Sequence, residues 1–300
     1  MGRTIGVLAA HQIAAGVVEN NQIVSEVRLY PESGSSAYVL DGMHAESISQ
    51  CILSQINLCR QTEEAISAIG VAIPGIIREG VIQESANLPQ VKGFRLEESL
   101  AAALSEHGVA IPVRVFNDAD AIAAGVAATR DQLDKIVRVW HLGHGVGYGR
   151  YPWTDGVWEG GHAVVTLDPK EQFCGCGGKG HLEGVMGLRA MRLRFLDIEP
   201  EEVFANAKAG DKRCASFVTL WHRALAAATA SCIAMEGPGK FFITGTAAKF
   251  VELGRLNIYL HEMVKMSPLQ GSLLEVITTN LETGIIGAAV NAEIASQARA

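Results

Sequence analysis

The stretch from Glu159 to Glu183, EGGHAVVTLDPKEQFCGCGGKGHLE, constrains this chain more than any other segment. It places His162, Cys174, Cys176 and His181 within twenty residues and sets Gly175, Gly177, Gly178 and Gly180 around the two sulfurs. Two thiolates and two imidazoles form the donor set that tetrahedral Zn²⁺ takes in closed structural sites. The glycines suit such a loop, because a chain turning tightly around an ion needs backbone angles that other residues resist. The bland alternative is a pair of buried cysteines in a glycine-rich loop with two unrelated histidines. The spacing favours the metal.

Around this loop the chain alternates strands and helices. Residues 4–8, 14–18 and 23–29 read as strands, the last two separated by the polar turn Glu19-Asn20-Asn21-Gln22. Residues 44–62 carry Ile48, Cys51, Ile52, Ile56 and Cys59 at helical spacing. Residues 68–73 are small and β-branched, as in a strand buried on both faces, and end at the turn signal Pro74-Gly75. A helix over 96–107, a strand over 113–116, a helix over 119–130 and a strand over 136–141 complete the legible pattern. Such an order predicts an α/β layer system. At 300 residues and 48% hydrophobic content, the chain has enough core for two domains.

A net charge of −7, without any run of lysine or arginine, argues against a nucleic-acid surface. The N-terminus MGRTIGVLAA enters an apolar strand directly, without the pattern of a signal peptide. The longest apolar stretch, residues 217–235, carries His222 and Arg223 and reads as a buried helix rather than a membrane span. Cys51, Cys59, Cys214 and Cys232 lie in apolar, helix-like surroundings, as reduced core residues do. These features predict a cytoplasmic protein that engages neither membrane nor nucleic acid.

Two further constellations carry chemistry. The strand over 113–116 delivers Asn117-Asp118 at its end, the open side of an α/β sheet. An aspartate there is either a helix N-cap or a general base for an attacking hydroxyl, and an adjacent asparagine can hold the same substrate. After the next strand come Gly143, His144, Gly145 and Gly147, a spacing that either lets backbone amides approach a phosphate or serves a hairpin. The strand-turn over 240–247 contains Gly245 and identifies nothing by itself.

Taken in order, these motifs resemble the ROK family of sugar kinases and sugar-responsive repressors. Asn117-Asp118-Ala119-Asp120 is similar to the family's Asn-Asp-Ala-Asn motif, and residues 142–147 to its second phosphate loop. Glu159-Gly160-Gly161-His162 resembles its Glu-x-Gly-His motif, and the run from Cys174 to Glu183 its CGCGxxGCxE zinc signature. Ser85-Ala86-Asn87-Leu88-Pro89 and Gly284-Ile285-Ile286-Gly287-Ala288 fall in the expected places. The resemblance implies a two-domain, actin-like, ribonuclease-H-like α/β fold with a cleft between domains. The expected bounds are 1–117 with 285–300 for the first domain and 118–284 for the second, zinc-binding domain. It further implies Asp118 as the base toward the carbon-6 hydroxyl of a hexose or N-acetylhexosamine. Asn87, Asn117, Glu159, His162 and Glu183 would hold the sugar. ATP with Mg²⁺ would lie near Gly143, His144, Gly145, Gly147 and Gly245. The zinc held by His162, Cys174, Cys176 and His181 would be structural, and the protein a homodimer.

The sequence departs from the family at three points. His181 stands where a third cysteine is usual, a mild change for zinc. His144 replaces a threonine in the second phosphate loop. Most serious, the N-terminal Asp-x-Gly-Gly-Thr-Lys loop is replaced by Leu8-Ala9-Ala10-His11-Gln12, with the acid, glycines, threonine and lysine all absent. Phosphoryl transfer rests on positioning and charge neutralisation, so a lost loop of donors weighs against catalysis. His11 and His144 are the candidate replacements. The surviving Asp118 and sugar contacts favour a kinase over a sugar-binding protein without activity. A sugar-responsive regulator is a third class, disfavoured because the chain starts at the first strand.

Overall fold

The computed structural model describes residues 2–32, 39–61, 65–106, 108, 110–154, 156 and 159–297. The chain divides into two compact units. One comprises Met1–Val137, Gly149–Val157 and Thr279–Ala300, the other Arg138–Tyr148 and Trp158–Thr278.

In the first unit, β1 (Arg3–Ala9) and β2 (Ile13–Glu19) pair antiparallel, from Thr4 opposite Val18 to Ala9 opposite Ile13. Two short strands, β3 (Gln22–Ile23) and β4 (Arg28–Tyr30), also pair with β2. The sequence predicts one strand over 23–29, and the structure breaks it. Ser25 Oγ accepts the Val17 N–H at 2.9 Å, taking the place a strand carbonyl would fill. The helix α1 (Ala45–Gln61) leads to β5 (Ile66–Ile73), the hairpin β6 (Ile76–Arg78) and β7 (Val81–Glu84), α2 (Leu96–Glu106), β8 (Val113–Asn117) and α3 (Asp118–Thr129). The expected ends of two helices, Thr62 and His107, lie outside the described residues. The main sheet runs β3-β2-β1-β5-β8, with β5 parallel to both β1 and β8. The apolar run of β5 is as expected: Ile69, Val71, Ala72 and Ile73 are fully buried, and Ile69, Val71 and Ile73 enter a core that also holds Ile5, Val7, Ile48 and Ile52.

The second unit is built on β11 (Lys240–Thr244) and β12 (Leu273–Val276), on β9 (Val137–Leu142) from Arg138 onward and on the part of β10 (Val146–Tyr151) up to Tyr148; the strand order is β10-β9-β11-β12. The helices α4 (Leu182–Met186), α5 (Leu188–Arg194), α6 (Pro200–Lys208), α7 (Lys212–Glu236) and α8 (Leu253–Met263) complete it. Trp140, Trp221 and Phe241 centre its core, and Trp140 Nε1 donates to Thr229 Oγ1 of α7 at 3.1 Å. Among the described residues, α7 is the one helix long and apolar enough to cross a membrane. Of its apolar window, 61% is buried within the protein.

The unit boundaries differ from the expected 117/118 and 284/285 divisions. The helix α3, expected to open the second domain, belongs to the first unit, and the C-terminal return begins at Thr279. The reason is packing against the C-terminal helix Leu281–Gln297. A Cβ added at Gly287 would lie 1.7 Å from the Ala121 carbonyl oxygen of α3, so only glycine permits this approach. The sequence predicts a helix over 119–130, but its partner in the fold lies over 150 residues away in the chain.

Candidate functional site

The loop between Glu159 and Glu183 closes on itself within the second unit. Gly180 donates its N–H to the Glu171 carbonyl at 2.6 Å, and Val164 bridges His181. Cys174 is buried and Cys176 exposed. Gly180 has φ of +70°, and a Cβ there would meet the Thr166 carbonyl at 2.0 Å, so glycine is required at this turn.

The four expected ligands come together. Cys174 Sγ lies 3.4 Å from His162 Nδ1 and 3.4 Å from Cys176 Sγ, and Cys176 Sγ lies 3.2 Å from His181 Nδ1. All four donor atoms fall within 4.8 Å of one another. A tetrahedral zinc with ordinary bond lengths sets its ligand atoms about 3.4–3.8 Å apart, so the cage fits. Burial, with His162 nearby, pushes the His181 imidazole below its ordinary value, favouring the neutral, metal-ligating form. Burial pushes the Cys174 thiol up to about 12, so its ionisation requires a compensating cation.

The cage joins the expected sugar ligands. His162 turns Nδ1 to the sulfurs and Nε2 toward Glu159, whose Oε2 is 3.8 Å away. Cys174 Sγ lies 3.5 Å from Glu183 Oε1, while Glu183 Oε2 accepts the Val146 N–H at 3.1 Å. Thus the carboxylate spans from the sulfur cluster to the glycine turn. A Cβ on Gly145 would lie 2.4 Å from Glu183 Oε2, which explains glycine there as room for a carboxylate.

That turn is tight. Gly143 N–H donates to the Gly145 carbonyl at 3.0 Å, and the Gly143 and His144 carbonyls accept the first two amides of α5, Leu188 at 3.0 Å and Arg189 at 3.2 Å. His144 is exposed at the apex, and Gly147 lies inside β10 rather than in the turn. Gly245, with φ of +95°, lies beside the same strand end, and Ala247 donates its N–H to the Leu142 carbonyl at 2.9 Å. The two loops expected to meet a nucleotide therefore stand side by side in the second unit.

Asn117 and Asp118 lie in the first unit, where the sequence left the capping role open. The structure gives the N-cap of α3 to Asn117. Its Oδ1 accepts the amides of Ala119 at 2.8 Å and Asp120 at 3.3 Å, and its Nδ2 donates to the Gly75 carbonyl at 2.9 Å. Little of this side chain remains for a substrate: one N–H of the amide. Asp118 becomes the first residue of the helix, with its carboxyl raised above the ordinary range by burial. The amides of Ala119 and Asp118 and the imidazole of His11 partly offset that rise. Ser85 Oγ holds the adjoining turn through the Pro74 carbonyl at 2.8 Å, and Asn87 is exposed two residues on.

Residues 10–12 form the three-residue turn between β1 and β2. The Ala10 N–H is consumed within it, donating to the Gln12 carbonyl at 3.1 Å, and His11 is exposed at its tip. No carboxylate occupies the turn.

Sequence reasoning passed over Asp120. It is 8% exposed, accepts the Arg150 N–H at 3.0 Å, and titrates at about 7. Burial is the main cause; the Asp118 charge adds to it, and Arg150 opposes it. The available signal was a second acid where the family's motif carries an amide.

Four similarities to known proteins bear on this arrangement. The sequence model of the ROK family matches residues 5–293. A glucokinase of Pyrobaculum calidifontis is 30% identical over 198 residues, covering 60% of this chain and 63% of that protein, less than two thirds of its length. An N-acetylmannosamine kinase of Haemophilus influenzae is 25% identical over 288 residues, covering 93% and 91%. The crystal structure of a ROK hexokinase from Thermus thermophilus matches with a TM-score of 0.77 at 23% identity, over 99% of each chain.

Proposed function

Since this chain belongs to the ROK family and has the family's two-domain actin-like fold, we propose that it is an ATP-dependent sugar kinase for a hexose or N-acetylhexosamine. The observation that carries this reading is the cap of α3. Because Asn117 holds the N-cap and accepts the amides of Ala119 and Asp120, the helix does not need the Asp118 side chain as its N-cap, although that carboxyl also draws on the amides of Ala119 and of Asp118 itself. A carboxylate so placed at a strand end suits a general base. It takes the proton of the carbon-6 hydroxyl as that oxygen attacks the γ-phosphorus of ATP, and the bond to ADP breaks.

The other sugar hydroxyls fall to Glu159, His162 and Glu183, with one N–H of Asn117 and the side chain of Asn87 as lesser contacts. Glu183 keeps acceptor capacity after binding Val146, since a carboxylate offers about four lone-pair sites. Zinc, held by His162, Cys174, Cys176 and His181, supplies structure: it fixes the loop from which Glu159 and Glu183 project. The ATP phosphates are assigned to the turn of Gly143, His144 and Gly145 and to Gly245. Residues 8–12 offer Mg²⁺ no carboxylate.

A second reading has its own observation. The Ala10 amide, in the place of the family's first phosphate loop, is already bonded inside the turn. That favours a protein that binds sugar without transferring phosphate. The deciding experiment is ADP release over a panel of hexoses and N-acetylhexosamines, with calorimetric titration of ATP. Turnover on one sugar supports the kinase. Sugar binding with neither ATP binding nor ADP release selects the second reading.

A further inference from the structure

The metal loop is held at its base by a second device that involves none of the four ligands. Arg194, the last residue of α5, donates from Nη1 to Glu171 Oε1 at 2.8 Å and from Nη2 to Glu171 Oε2. Nη2 also lies 3.4 Å from the Gly184 carbonyl. Glu171 stands three residues before Cys174, and Gly184 directly follows Glu183, so one guanidinium grips both legs of the loop. Phe173, next to Cys174, lies over the same guanidinium at 4.3 Å, and Phe217 of α7 flanks it at 5.2 Å.

The pair is inside the protein: the side chains of Arg194 and Glu171 are 17% and 9% exposed. Two charges taken from water are weak evidence for added stability, because desolvation offsets most of their attraction. What a forked, bidentate contact supplies is orientation. Here it ties the segment before Cys174 to the segment after Glu183 through contacts that involve no metal ligand.

Resting on the zinc site proposed above, we infer that Arg194 and Glu171 are positioning residues that pre-form the metal cage and the setting of Glu183. The ordering of the loop then does not fall wholly on metal binding. Partners beyond the ligands commonly change metal affinity by about 10- to 100-fold when removed.

The test uses the full chain and a paired variant, Glu171→Leu with Arg194→Met, which leaves no lone buried charge and keeps apolar volume. Zinc affinity is measured by chelator competition, and geometry by the visible spectrum of the Co²⁺-substituted protein. The expected result is a dissociation constant for zinc raised about 10- to 100-fold, with the zinc-loaded variant still folded. Arg194→Lys, which keeps the charge and loses the fork, should recover part of that loss. A paired variant that holds zinc as tightly as the wild type overturns the brace alone. A wild-type chain that binds neither zinc nor cobalt overturns the metal reading, and the brace with it.

Discussion

Replacing Asp120 by Asn should stabilise this protein, and by more as the pH rises. Asp120 is 8% exposed, and its one defined partner, the Arg150 N–H at 3.0 Å, needs only an acceptor, which the Asn carbonyl also provides. The carboxyl titrates at about 7 in the folded chain against 3.8 ordinarily. Its folded value is raised, so the sign is the reverse of the usual salt-bridged acid. Between 3.8 and about 7 the unfolded chain ionises first, and folding stability falls as pH rises through that window. At about 1.36 kcal/mol for each pH unit, the deficit reaches about 4 kcal/mol above pH 7 and is under about 2 kcal/mol at pH 5. Asp120→Asn abolishes it. The advantage of the variant should therefore grow by about 2–3 kcal/mol from pH 5 to pH 8, or roughly 5–10 °C in the difference of melting temperatures. Comparing the two pH values cancels any constant effect of the amide. Thermal melts of both proteins at both pH values make the test. An equal difference at pH 5 and pH 8 would refute the argument, since it would mean that Asp120 does not titrate near neutrality.

Other outcomes follow from the same geometry. Asp118→Asn should lower kcat by about 10²- to 10⁴-fold with sugar affinity changed only slightly, read by ADP release and calorimetry, because the amide keeps the shape and loses the base. The wild-type acidic limb should lie above the ordinary carboxylate range, since burial raises Asp118 and the base must be ionised to act. Glu183→Ala should weaken sugar binding and loosen the glycine turn, costing about 1–3 kcal/mol in binding, because the Val146 amide and a sugar hydroxyl both lose their acceptor. Cys174→Ser should reduce bound zinc from one per chain to a small fraction, measured by elemental analysis. A variant retaining full zinc would count against the four-residue cage.

Much of the site was legible along the chain because its parts are local. His162, Cys174, Cys176, His181 and Glu183 lie within one loop, where spacing and glycine content carry the geometry. The strand β5, apolar on both faces, and the amphipathic helices could likewise be read from their periods. The missing acid, glycines and lysine in residues 8–12 were equally plain in the sequence.

What the tertiary structure decided were the choices between residues competing for one partner. Either Asn117 or Asp118 could cap α3, and the bond from Asn117 to the Gly75 carbonyl fixes that side chain where it takes the cap. Gly145 could be read from the sequence as serving a phosphate or a hairpin; the fold adds a further demand for glycine there, since its Cβ would strike Glu183, placed beside it by a loop nearly forty residues on. The membership of α3 in the first unit rests on Gly287, and the titration of Asp120 on the desolvation that packing imposes. Local pattern records what a segment is able to form. Burial and long-range contact determine which of its polar groups are already spoken for, and the chain alone carries no measure of either.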